Sequence, residues 1–157
     1  MRAFLYLLVS ATLLLFGACE RVQSNTEKFA AIDEDLISTY LEENNIDAVR
    51  HESGLYYNIL DEGDEDGERP SSFSQVQVSY EGYFLDGMVF DEADSTNLAE
   101  IDLSSTIAGW RIGLPFIREG GSIQLFIPSG LGYRNQAEGS IPPNTVLLFD
   151  INLHRVR

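Results

Sequence analysis

Apolar and polar positions alternate most clearly over residues 75–84. Val76, Val78, Tyr80 and Phe84 fall on one side, and Gln75, Gln77, Ser79 and Glu81 on the other. Period two with one wet face predicts a strand of an antiparallel sheet. The alternation runs into Asp86-Gly87, a strong local signal for a tight hairpin, and resumes in Met88-Val89-Phe90-Asp91. Residues 91–100 read as a polar loop or bulged segment, with a short strand near 101–103. Ile123, Leu125 and Ile127 share one face of a further strand. Leu147, Phe149, Ile151 and Leu153 share one face of the last, and Gly54 to Leu60 reads as another. Between them, Trp110, Leu114 and Ile117 stand at i, i+4 and i+7, one face of a helix. Pro115 removes a donor and crowds the carbonyl four back, so that helix is limited to one or two turns. Residues 129–144, with Tyr133 and Ile141-Pro142-Pro143, form a long irregular connection. One short helix against several alternating strands predicts a two-layer α+β fold, its antiparallel sheet curled into a half-barrel around the helix.

Two segments lie ahead of this domain. Ser24-Asn25-Thr26-Glu27 has the capping-box form, and Phe29, Ile32, Leu36, Ile37, Tyr40 and Leu41 recur at three- and four-residue steps. A helix is expected there, ending at Asn44-Asn45; its apolar stripe could cover the domain or a second copy. Earlier still, Arg2 precedes an almost unbroken apolar run from Ala3 to Phe16, too short for a bilayer-spanning helix and suited to a secretory leader. It leads into Leu15-Phe16-Gly17-Ala18-Cys19, which resembles a bacterial lipobox, with Phe16 where Leu, Val or Ile is usual. The resemblance implies cleavage before Cys19 and fatty acyl chains on that residue; more than one chain would make the anchoring stable. An uncleaved signal anchor is the other reading. The expected organisation is residues 1–18 as leader, 19–50 as lipidated tether and helix, and 51–157 as the folded domain.

Composition narrows the function classes. Twenty-five acidic residues face ten basic ones, for a net charge of −15. A chain that acidic, without a Lys/Arg cluster, repels phosphate backbones, which argues against nucleic-acid binding. Hydrophobic residues make up 44% of the chain, enough for a packed core. Cys19 is the only cysteine, so no disulfide is needed in an oxidising envelope. The acidic stretch 61–68 invites a calcium reading. Setting Asp66-Gly67 at loop positions 5 and 6 leaves Phe73 at position 12, where a bidentate Glu is required, so a solvated turn is expected instead. His51 and His154 sit in unrelated segments, and there is no nucleophile elbow, metal-ligand cluster or phosphate-cradling loop. The residues left to carry chemistry are aromatic: Tyr80, Phe84, Phe90, Trp110, Phe126, Tyr133 and Phe149. Core packing is the plain alternative for all of them, and is expected for Phe84.

These residues also stand in a recognisable order. From about Ser53 to Arg157 the chain resembles FKBP-type peptidyl-prolyl cis–trans isomerases. The resemblance rests on Val78-Ser79-Tyr80-Glu81-Gly82 with Asp86-Gly87 and Phe90-Asp91, and on Ile107-Ala108-Gly109-Trp110 with Gly113-Leu114. It continues in Ile127-Pro128 with Gly132-Tyr133, and in Ile141-Pro142-Pro143-Asn144 leading to Leu148-Phe149-Asp150. It implies a proline pocket with Trp110 as floor and Tyr80, Phe90, Thr106, Ile107, Ile141 and Phe149 as walls. Asp91 would stand at the rim, and the Tyr133 hydroxyl and Ile107 N–H would hold substrate carbonyls, making Asp91, Tyr133 and Phe149 the catalytic set. The chain departs from the pattern at Ala99, where a pocket phenylalanine is usual, at Arg134 in place of glycine, and at Arg111 in place of an acidic residue. No cofactor or metal is implied. The expected activity is prolyl isomerisation assisting the folding of exported polypeptides. The protein would be lipid-anchored in a bacterial envelope, with the outer membrane as the expected site. A weakly catalytic module or chaperone that binds proline segments is the second reading, and an adaptor acting through its N-terminal helix the third.

Overall fold

A computed structural model describes residues 26–157. The leader, the lipobox and Cys19 lie outside the described residues, as does Ser24 of the expected capping box. Residues 26–44 are helical and form α1. It ends where Asn45 turns to a positive φ of 55° and the Ile46 N–H reaches back to the Leu41 carbonyl at 2.9 Å. Among the described residues, no helix is long and apolar enough to cross a membrane.

Seven strands follow: β1 (Val49–Arg50), β2 (Tyr56–Asp61), β3 (Gln75–Tyr83), β4 (Val89–Ala93), β5 (Ala99–Asp102), β6 (Ser122–Ile127) and β7 (Leu147–Val156). All pair antiparallel in the order β1-β2-β6-β7-β3-β4. β5 shares the outer edge of β3 with β4. β4 pairs with its second half (Tyr80 opposite Ala93) and β5 with its first (Val78 opposite Ala99). The segment expected as a loop after Phe90 is therefore partly strand, and Asp91 lies within β4, opposite Gly82. At the hairpin Gly87 takes a φ of 83°, a conformation in which a side chain is strained, and the Phe84 N–H donates to the Met88 carbonyl at 3.0 Å.

The concave face closes on α2 (Ala108–Gly113), which tightens into a 3-10 turn over Leu114–Phe116 at Pro115. Trp110, Leu114 and Ile117 are all buried among Leu125, Ile127, Phe149 and Ile151 of β6 and β7. Gly109 and Gly113 allow this approach, because a Cβ at either would lie within 2.6 Å of Ile127 or 2.5 Å of Leu125 respectively.

The convex face is covered by α1. Ile37 and Leu41 pack with Tyr56, Phe126 and Leu148 in a second apolar cluster, so the helix covers its own domain. Its rotation differs from the expected stripe: Ile32 and Leu36 are 41% and 43% exposed, and Asp33 is buried in their stead. Ser79, expected on the wet face of β3, is also buried and shares a 2.9 Å hydrogen bond with His154 Nε2.

Candidate active site

Residues from β3, β4, β5, α2, β7 and the loop after β6 surround a cavity of about 450 Å³. Its apolar part is a cup of three rings. Trp110, 4% exposed, meets Tyr80 and Phe149 edge-on, with centroids 5.2 and 5.3 Å away and interplanar angles of 88° and 90°. Such edge-to-face pairs hold one another in place beyond their shared burial. The floor is set by helix geometry, since α2 begins at Ala108 and directs Trp110 towards the sheet. Its indole N–H is buried and finds no acceptor among the described residues.

Polar groups ring the opening. The Tyr80 hydroxyl donates to Asp91 Oδ2 at 2.7 Å, across the β3–β4 pair. Burial first, and the neighbouring Asp91 second, raise the Tyr80 pKa far above its ordinary value, so this phenol stays a donor at neutral pH. Tyr133, on the loop after β6, is raised in the same way by burial and then by Glu138 and Asp91. Among the described residues its hydroxyl donates to no protein group, and neither does the Ile107 N–H, which precedes α2 in extended conformation (φ −63°, ψ 154°). Both residues line the cavity. The site thus combines an apolar cup with two donors free to hold carbonyl oxygens. Among the described residues its lining contains neither histidine nor cysteine.

Of the expected residues, Tyr80, Asp91, Thr106, Ile107, Trp110, Tyr133 and Phe149 line the cavity together. Phe90 and Ile141 do not. Phe90 stands behind Phe149 at 5.5 Å, edge-on, and stacks with Phe84; Ile141 is buried in the main core. The lining also includes Ile101, two residues beyond Ala99 on β5, and the arginines 111 and 134. Arg111 donates to the carbonyls of Ser104 and Thr106 at 3.3 and 3.2 Å, bracing the turn that presents Ile107. Alternation on β5 puts Ile101 on the face of Ala99, a signal readable from the sequence. The Arg111 contact has no such signal.

A family model described as FKBP-type peptidyl-prolyl cis–trans isomerase matches residues 67–154. The chain belongs to that family. Among curated FKBP-type relatives, the probable FkpA of Neisseria meningitidis serogroup B is 40% identical over 106 residues, covering 66% of this chain and 38% of the relative. FkpA of Escherichia coli K12 is 37% identical over 106 residues, covering 67% and 38%. The matched part thus spans 38% of the length of either relative. The crystal structure of FkpA from Escherichia coli superposes with a TM-score of 0.72 at 33% identity, covering 95% of this chain and 71% of that one. A peptidyl-prolyl cis–trans isomerase from Pseudomonas syringae pv. tomato gives 0.68 at 28% identity, covering 83% and 95%. Within this FKBP fold the departures acquire a geometry. Arg134 holds a φ of 59°, where glycine is unstrained, and Ile101 stands beside the place that Ala99 leaves small.

Proposed function

We propose that this FKBP-family protein isomerises peptidyl-prolyl bonds in exported polypeptides. In this reading residues 1–18 are a cleaved leader and Cys19 carries the lipid anchor. Residues 19–50 join that anchor to the isomerase domain at 51–157, held at a bacterial envelope membrane.

The observation that carries the catalytic part is the ring cup of Tyr80, Trp110 and Phe149 beneath two unengaged donors. Rotation about a peptide bond is opposed by about 18–20 kcal/mol because the amide loses its resonance. The twisted imide carries less charge separation than the planar one, so an apolar cup binds it better than the ground state. Such differential binding lowers the barrier. The Tyr133 hydroxyl and Ile107 N–H hold the flanking carbonyls while the prolyl ring stays seated, and the bond turns between them. Asp91, fixed by Tyr80, stands where the imide carbonyl must sweep. Each ~1.4 kcal/mol of preference for the twisted state gives tenfold in rate. No bond is made or broken, so no acid, base or nucleophile is required of the lining residues.

The test is cis–trans relaxation of a proline tetrapeptide with the chain from residue 20 onward. Acceleration that is lost in Trp110→Ala supports the reading; a rate equal to the uncatalysed one, with the peptide still bound, replaces it by a binding module. The anchor is tested separately. Radiolabelled fatty acid is expected on the parent and absent from Cys19→Ala, and label persisting in the variant overturns the lipid scheme.

A further inference from the structure

Helix α1 puts one carboxylate into the protein interior. Asp33 is 1% exposed, and its Oδ2 accepts the Ser129 N–H at 2.8 Å and the Ser129 hydroxyl at 2.6 Å. Its Oδ1 has no hydrogen-bond partner among the described residues. Burial pushes the Asp33 pKa up, and the two Ser129 bonds pull against that shift. A carboxylate is an unfavourable residue to bury unless such bonds replace its water. The helix nevertheless turns Asp33 inward and leaves Ile32 and Leu36 in solvent. Apolar burial alone would have rotated α1 the other way.

What Asp33 grips is the start of the loop that closes the cavity. Ser129 opens a 3-10 turn, and its carbonyl accepts the Gly132 N–H at 3.1 Å and the Arg134 N–H at 2.9 Å. One residue thus holds both ends of the segment in which Gly130, Gly132, Tyr133 and Arg134 line the cavity. The segment is also tied from the far side by the Asn144 N–H on the Arg134 carbonyl, at 2.6 Å. Glu34, the next residue after Asp33, is engaged by Arg50 and Tyr56 instead.

We propose that Asp33 is a positioning residue of the active site: by clamping Ser129 it sets where the Tyr133 hydroxyl stands over the aromatic cup, which makes α1 part of the catalytic unit. The proposal rests on the isomerase reading. It separates Asp33 from Ile37 and Leu41, which attach the same helix through the apolar cluster behind the sheet.

The experiment uses the full-length protein in detergent and follows proline-peptide isomerisation well below the unfolding midpoint. Asp33→Ala is expected to lower kcat/KM about tenfold, and Ser129→Ala several-fold. Ile37→Ala is expected to lower the midpoint with kcat/KM within twofold of the parent. In a Tyr133→Phe background, Asp33→Ala should then remove less than a further factor of two, because its effect passes through that hydroxyl. The milder Asp33→Asn serves if the alanine variant does not fold. A loss that multiplies with Tyr133→Phe, or an equal loss in Ile37→Ala, would reduce Asp33 to a fastener of the helix and overturn the proposal. If the parent itself fails to accelerate the reaction, the isomerase reading is what has failed. The same variants are then compared by quenching of Trp110 fluorescence with the proline peptide. Unchanged affinity in Asp33→Ala rejects the positioning role there, and weakened affinity that vanishes in Tyr133→Phe sustains it.

Discussion

Gly109→Ala is the most direct test of how the cup floor is held. The residue lies within α2 in helical conformation, so alanine is conformationally acceptable and improves helix propensity by about 1 kcal/mol. Against that, the new methyl would sit 2.6 Å from Cδ1, 2.6 Å from Cγ2 and 2.8 Å from Cγ1 of Ile127. Carbon atoms prefer separations of about 3.5–4.0 Å, so the helix must back away by roughly 1 Å. Ile127 cannot yield instead: it is fully buried in β6, and its branched Cβ restricts the rotamers it can adopt. Overpacking of this kind costs about 1–3 kcal/mol, and three close approaches to one rigid side chain put it at the upper end. Net of propensity, a destabilisation of about 2 kcal/mol remains, or roughly 5–10 °C in Tm. Trp110 moves with its neighbour, and a misplacement near 1 Å costs on the order of 100-fold in rate. The assays are urea unfolding and peptide isomerisation. Ile127→Ala alone is expected to cost about 2–5 kcal/mol, and the double variant distinctly less than the sum of the two singles. A single variant with unchanged Tm and kcat/KM, or a strictly additive double, would refute the close-packing argument.

Further outcomes concern the rim. Tyr80 has its pKa raised from 10.0, so its contribution to stability is complete below pH 10 and is lost as pH rises beyond it. Above that pH the urea midpoint of the parent should fall more steeply than that of Tyr80→Phe, and equal slopes would contradict the assignment. Arg134 occupies the left-handed region, so Arg134→Val is expected to cost about 1–3 kcal/mol, while Arg134→Gly stays within about 1 kcal/mol of the parent in thermal unfolding. Arg111→Ala frees the Ser104 and Thr106 carbonyls; a peptide titration should show affinity reduced about three- to tenfold.

Much of the fold was legible because the core-facing residues of its strands recur with period two. The alternation in residues 75–84 and 122–127 and the Asp86-Gly87 turn follow from local rules, although Ser79 and Phe126 on the opposite face are buried as well. The spacing of Trp110, Leu114 and Ile117 was equally direct, since all three point into one core. The N-terminal helix was legible as a helix but not in its rotation. An apolar stripe argues for burying Ile32 and Leu36, and only the partner, 96 positions away in the chain, reveals why Asp33 is inside. The strand character around Asp91 was hidden for a different reason, because the residues after Phe90 are polar although they pair with β3. The brace from Arg111 ends on backbone carbonyls, which carry no side-chain signal. The motif named Phe90 and Ile141 as walls, and whether such a side chain meets the cavity or packs into the core depends on tertiary neighbours that the motif does not specify.

The place of β7 in the sheet has a consequence for biosynthesis. This strand lies between β6 and β3, so the β2–β6 ladder and the β3–β4–β5 ladder are separate pieces until residues 147–156 have been translated. Phe149, one wall of the cup, arrives on that same strand. A nascent chain halted by a ribosome anywhere before it holds two incomplete halves and no aromatic cup, so the cavity is completed only by the most central strand.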